Sequence, residues 1–156
     1  MSLLWCLLLC PLFFAILIVI LPTKKNDTLT WLAISPIMIS LLLLWALLPN
    51  AYAKEPLAIH LFQSSFLTIR FVLDPLTWLL ALVCSFVWLF ASVFSLHYFK
   101  QENLLLLKRY QAFSLLNFWT IVLILFASNF FTFFIFFELL LIASYVLIIH
   151  YQTKET

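Results

Sequence analysis

Residues 130–150, FFTFFIFFELLLIASYVLIIH, form an apolar stretch long enough to cross a bilayer, with one carboxylate, Glu138, near its middle. An acid at that depth costs roughly 2.5–3.5 kcal/mol on insertion scales, so its default reading is functional. The chemistry open to it is the handling of protons or cations. A carboxylate in low dielectric is poised between charged and neutral forms, and a nearby ammonium tips it toward ionisation. Helical spacing puts Phe134, Ile135, Leu141, Ile142 and Tyr145 near the Glu138 face, with Tyr145 the polar member. Thr132 and Ser144 fall on adjoining faces, where they could hold water. His97 and His150 read first as polar residues at span boundaries and second as proton relays at an inner mouth. The competing reading of Glu138 is a protonated acid that hydrogen-bonds a neighbouring helix and only locks packing.

The elements that must position these residues are membrane helices. The chain is 67% hydrophobic and 9% charged, against about 45–50% and about 25% in soluble domains, which excludes a globular water-soluble fold. Five segments meet the spanning criterion of about 20 mostly apolar residues: about 3–21, 29–48, 76–98, 112–128 and 130–150. The expected fold is therefore an all-α integral membrane protein, with residues 1–156 as a single membrane domain. Asn129 is the polar break between the last two spans, and a tight reversal is expected there. Lys24, Lys25, Lys100, Lys108, Arg109 and Lys154 fall on one side, and only Lys54 and Arg70 on the other. The positive-inside rule then puts the N-terminus outside and the C-terminus inside.

Between spans two and three, HLFQSSFLTIRFVL is rich in β-branched and aromatic residues. It predicts a short β-ribbon in the outer 49–73 loop, turning at Ser64–Ser65, with an interfacial helix as the competing reading. Asp74-Pro75 reads as a helix start, with Asp74 as the cap and Pro75 in the first helical position, and a role for Asp74 in ion entry as the competing reading. Pro11 and Pro36 sit inside spans and are expected to bend them, whereas Pro22 and Pro49 are read as stops. Trp5, Trp31, Trp78 and Tyr98 near span ends are read as interfacial anchors. The loop 99–111 is expected to lie along the inner membrane surface or against a partner subunit.

Several chemistries are excluded. Glycine is absent, so there is no dinucleotide fingerprint, no phosphate-cradling loop and no GxxxG packing motif. Cys6, Cys10 and Cys84 read as small packing residues rather than metal ligands, since no His, Asp or Glu accompanies them. A net charge of +2 without basic–aromatic clusters argues against nucleic-acid binding. No cofactor, metal or catalytic constellation is expected. Ala51-Tyr52-Ala53 mimics a signal-peptidase site, but a leader with two apolar stretches would be abnormal, and span one is read as retained.

Two stretches resemble a known family. NFFTFFIFFELLLIASYVLIIHYQTKE is similar to the fifth-span motif of the antiporter-like subunits: an aromatic approach, Glu-Leu, a small-residue step and Tyr-x-Leu. RFVLDPLTWLLALVCSFVWLFASVFSLHYF resembles their third span, with its Asp-Pro-Leu start and Ser-Leu-x-Tyr exit. The family includes the proton-pumping subunits of NADH:quinone oxidoreductase (complex I) and subunits of membrane-bound hydrogenases and Mrp-type cation/proton antiporters. The wording is most similar to the hydrogenase and Mrp D-type branch. The resemblance covers nearly all of this chain and about the leading third of a typical member. It departs at His97, where the family usually has Gly, and in having no Lys within the expected spans.

The resemblance implies that Glu138 is an ion-coupling residue whose lysine partner stands on a later span, so that here the partner comes from another polypeptide or is absent. The expected function is a subunit of a proton- or sodium-translocating complex in a bacterial, archaeal or mitochondrial inner membrane. This chain would supply the leading helices and coupling Glu of a split or shortened antiporter-like subunit. Its expected partners are lipid, the transported ion and other membrane subunits, including a chain with the later spans and buried lysines. It would not be catalytic alone, although it fits an ion-translocating oxidoreductase. The alternative is a non-conducting structural or assembly subunit of the same kind of membrane arm.

Overall fold

In lipid every backbone polar group must be satisfied within the protein, which forces apolar segments of this length into helices. The computed structural model describes residues 2–21, 26–53, 57–63, 68–98 and 104–152. These form α1 (Ser2–Ile20), α2 (Asn26–Ala51), a ribbon of β1 (Leu57–Gln63) and β2 (Thr68–Leu73), then α3 (Pro75–Tyr98), α4 (Leu104–Phe126) and α5 (Phe130–Gln152). All five helices contain a segment long and apolar enough to cross a membrane, so the chain is an integral membrane protein. Central to the bundle is α4, which packs on the other four helices. Half of its span is buried, against 17% for α5, the most outlying of the five.

Two boundaries differ from the sequence reading. Helix α4 begins at Leu104 rather than near Ala112, so most of the expected 99–111 loop is its first two turns. Lys108 and Arg109 are thereby inside a helix that spans, which corrects the expectation that no Lys would be. They remain at one end of the bundle, where the Lys108 Nζ donates to the Leu21 carbonyl at 2.8 Å. An ammonium there answers the exposed carbonyls and negative dipole end of α1. Helix α2 runs through Pro49 to Ala51, so Pro49 lies in its last turn instead of stopping it. Pro22 lies outside the described residues.

Pro36 shows how a helix in lipid tolerates an imino acid. It removes the backbone donor that Leu32 O would otherwise receive, and the Ser35 hydroxyl donates to that carbonyl at 3.2 Å. Ser40 Oγ, fully buried, donates to the Pro36 carbonyl one turn on, at 2.8 Å. Helix α1 likewise continues through Pro11. Trp119 Nε1 of α4 donates to Leu8 O at 2.8 Å, close to the turn that Pro11 loosens.

Trp78 is not an interfacial anchor. It is 7% exposed, its Nε1 donates to Leu44 O on α2 at 2.7 Å, and its ring packs edge-on against Tyr52. Lipid tails are as apolar as leucine, so polar ties and close packing join helices here where water would have driven them together. Trp78→Phe, which keeps the ring but loses the donor, should lower stability by about 1 kcal/mol in a detergent-unfolding titration. Trp31 is exposed on the outside of α2, as an anchor requires, and the side chain of Tyr98 lies outside the described residues. Cys6 is exposed rather than buried, and Cys10 and Cys84 are half-buried; all three are free thiols.

Strands β1 and β2 pair antiparallel from Leu57↔Leu73 through His60↔Arg70 to Gln63↔Thr68, with a bulge between His60 and Phe62. Alternation sends Ile59, Phe71 and Leu73 into the core and leaves His60 and Arg70 exposed. The Ser64–Ser65 turn lies outside the described residues. At the far end of β2 the chain turns into α3 through a reciprocal cap: Thr77 N donates to Asp74 Oδ1 at 2.7 Å, and Asp74 N donates to Thr77 Oγ1 at 3.0 Å. Pro75 fills the first helical position, where its missing donor costs nothing. Asp74→Ala should remove about 1 kcal/mol of stability, read by the same titration.

Candidate ion-coupling site

Helix α5 begins where it does because Asn129 caps it. Asn129 Oδ1 accepts from Thr132 N at 2.9 Å, and Phe133 N closes the first turn onto Asn129 O at 3.1 Å. The same side chain reaches the ribbon: Nδ2 donates to Thr68 O at 2.6 Å and to Thr68 Oγ1 at 2.9 Å. Ser128 N donates to Arg70 O at 3.0 Å, and Phe71 bridges antiparallel to Ala127. The reversal between α4 and α5 is thus pinned along β2. Deeper in, Phe136 packs on Phe71 and Trp119, with ring centroids 5.6 and 6.3 Å apart, and fixes which side of α5 faces inward.

That rotation sets the position of Glu138. It lies nine residues beyond Asn129, roughly 14 Å along the helix at 1.5 Å per residue, about half the depth of a bilayer core. Its carboxylate is on the exposed side of α5, and no hydrogen bond or ion pair joins it to any described residue. Of the face expected from helical spacing, Phe134, Leu141, Ile142 and Tyr145 are exposed beside it and Ile135 is half-buried, so most of that face points away from this chain's own core. Tyr145 lies on this face, two turns from Glu138, and is 65% exposed. Phe130, Phe133 and Phe137 stack down an adjoining exposed edge, with interplanar angles of 25° and 10°.

The auxiliary residues do not gather around the acid. Thr132 is fully buried on the opposite side, where its hydroxyl accepts from Arg70 N at 3.2 Å and lies 3.4 Å from Thr68 O. It is a clamp between α5 and the ribbon rather than a water ligand on the Glu138 face. Ser144 is half-buried and donates to Leu141 O of its own helix at 3.0 Å. The side chains of His97 and His150 lie outside the described residues.

A set of buried polar side chains on α3 and α4 was not foreseen. Ser85, Ser92 and Ser95 on α3 and Gln111, Asn117 and Thr120 on α4 are all buried. Gln111 Nε2 donates from α4 to Ser95 Oγ on α3 at 3.4 Å, and Ser95 Oγ donates to Ser92 O at 2.7 Å. Asn117 Nδ2 donates to Phe113 O at 3.1 Å, while its Oδ1 is buried with no partner among the described residues. Ser85, Ser92 and Ser95 recur at helical spacing along one side of α3, whereas Gln111 and Thr120 stand on opposite sides of α4, which is packed all round.

No protein-family model and no curated protein sequence matches this chain. Among solved structures, its fold is similar to a chain of the membrane-bound sulfane sulfur reductase, an archaeal respiratory membrane complex. The TM-score is 0.74 and the identity 21%, over 90% of this chain and 22% of that one. This chain therefore spans less than a quarter of that neighbour's length, and at this identity the likeness is one of fold.

Proposed function

We propose that this chain is a subunit of a membrane complex that moves protons or sodium ions, contributing five helices and the carboxylate of Glu138. What carries the reading is the geometry of that acid. It stands at mid-span on the outward stripe of the most exposed helix, with no described partner in its own chain. An ionised carboxylate is not left against hydrocarbon, so a second surface bearing a donor or a cation must cover it. Moving a cation toward and away from Glu138 would release and load a proton without covalent chemistry. The resemblance to antiporter-like subunits and the fold of a respiratory-complex neighbour both support this reading.

A non-conducting structural subunit is the second reading. It is favoured by the lack of any cation near Glu138 among the described residues. In that case a neutral carboxyl hydrogen-bonds an adjacent subunit and holds it in register. The two readings separate in a Glu138→Gln variant of the purified complex, reconstituted in vesicles and tested for both assembly and ion movement.

A further inference from the structure

Away from the Glu138 stripe, α1 and α4 enclose a groove of about 510 Å³, closed on one side by Val146 of α5. Ala15 and Ala112, both buried, form its floor, because two methyl side chains facing each other leave room that larger residues would fill. Leu12, Ile16 and Val19 wall it on α1, and Phe113 and Leu116 on α4. The one charged residue in its lining is Arg109. That guanidinium is exposed, and no described residue forms an ion pair with it. Its depth is fixed by its neighbour: Lys108 reaches the Leu21 carbonyl just past the end of α1, so Arg109 stands at the end of the bundle, at headgroup level.

We propose that this groove is a binding site for an anionic phospholipid, with an acyl chain along the α1–α4 floor and the phosphate on Arg109. The apolar walls cannot select a lipid, since every tail in the bilayer offers the same surface. Selection falls to the guanidinium, whose planar fork matches phosphate oxygens, with the Lys108 charge one residue away. Basic pockets between helices on the side rich in Lys and Arg are where anionic headgroups bind. A lipid phosphate is already present at the depth of Arg109 and carries the charge that complements it.

The test uses the full chain with its copurifying subunits, titrated with phosphatidylglycerol or phosphatidylcholine of matched tails and read by native mass spectrometry. Phosphatidylglycerol should be retained about fivefold better, the worth of one cation at an anionic headgroup. Arg109→Gln should abolish that preference and Arg109→Lys should keep most of it. Arg109 is exposed, so neither change threatens the fold. Equal retention of both lipids by the unmodified protein, or an undiminished preference in Arg109→Gln, would overturn the proposal. So would a photo-crosslinker at Val19 that captures a polypeptide instead of lipid.

Discussion

Glu138→Gln should abolish coupled ion movement in vesicles while the complex still assembles. The amide has nearly the shape of the acid and costs less in lipid than an ionised carboxylate, so the outward face of α5 keeps its fit to a neighbour. It has no titrating proton, and that is the whole of the proposed chemistry. A cationic partner left without its counterion in low dielectric would give up its own proton before it stayed charged, so the interface should survive. Glu138→Asp retains the titrating group on a shorter arm and should retain part of the activity. Full pumping by an assembled Gln variant would end the coupling role, and loss of assembly alone would favour the packing reading. Tyr145 shares the stripe, so Tyr145→Phe measures whether its hydroxyl assists.

Asn129→Ala should be the most damaging polar substitution outside the Glu138 stripe, lowering stability by about 1.5–5 kcal/mol. The sum combines a lost helix cap, worth about 0.5–2 kcal/mol, with the part-buried Thr68 carbonyl and hydroxyl left short of a donor, about 1–3 kcal/mol. Asn129→Asp separates the two: it keeps the acceptor for Thr132 N but has no N–H for Thr68. It should fall between Ala and the unmodified chain. Detergent-unfolding titrations measure the loss, and protease cleavage in the ribbon reports whether β2 has come away from the reversal. An Ala variant as stable as the parent would mean that the backbone contacts of Ser128 and Ala127 suffice to hold the α4–α5 turn.

Much of this architecture follows from composition alone. Runs of apolar residues near the thickness of a bilayer leave helix as the one self-satisfied structure, so the five spans are legible without knowing their neighbours. Local chemistry fixes the start of α3 as well, because Asp74, Pro75 and Thr77 make their contacts within one turn. The ribbon is legible from its β-branched and aromatic residues, whereas the structure shows that His60 and Arg70 point one way and Ile59 and Phe71 the other. The start of α4 was misplaced because Lys108 and Arg109 interrupt the apolar run. Long basic side chains can snorkel to the headgroups while their helix continues beneath them.

The sequence by itself determined that this protein lives in a membrane, how many times its helices can cross it, and that one carboxylate sits at mid-depth. Only the tertiary structure decided which way each helix faces. In water a polar stripe would mark the outer side of a helix, but in lipid that side is apolar and α5 carries no such stripe. Trp78 could therefore be read as an anchor until its indole was found donating to Leu44 O, and Thr132 as a companion of Glu138 until it was found clamped to Thr68 and Arg70. The rotation of α5 rests on contacts far apart in the chain, Phe136 on Phe71 and Trp119 and Asn129 on Thr68, and these turn Glu138 outward.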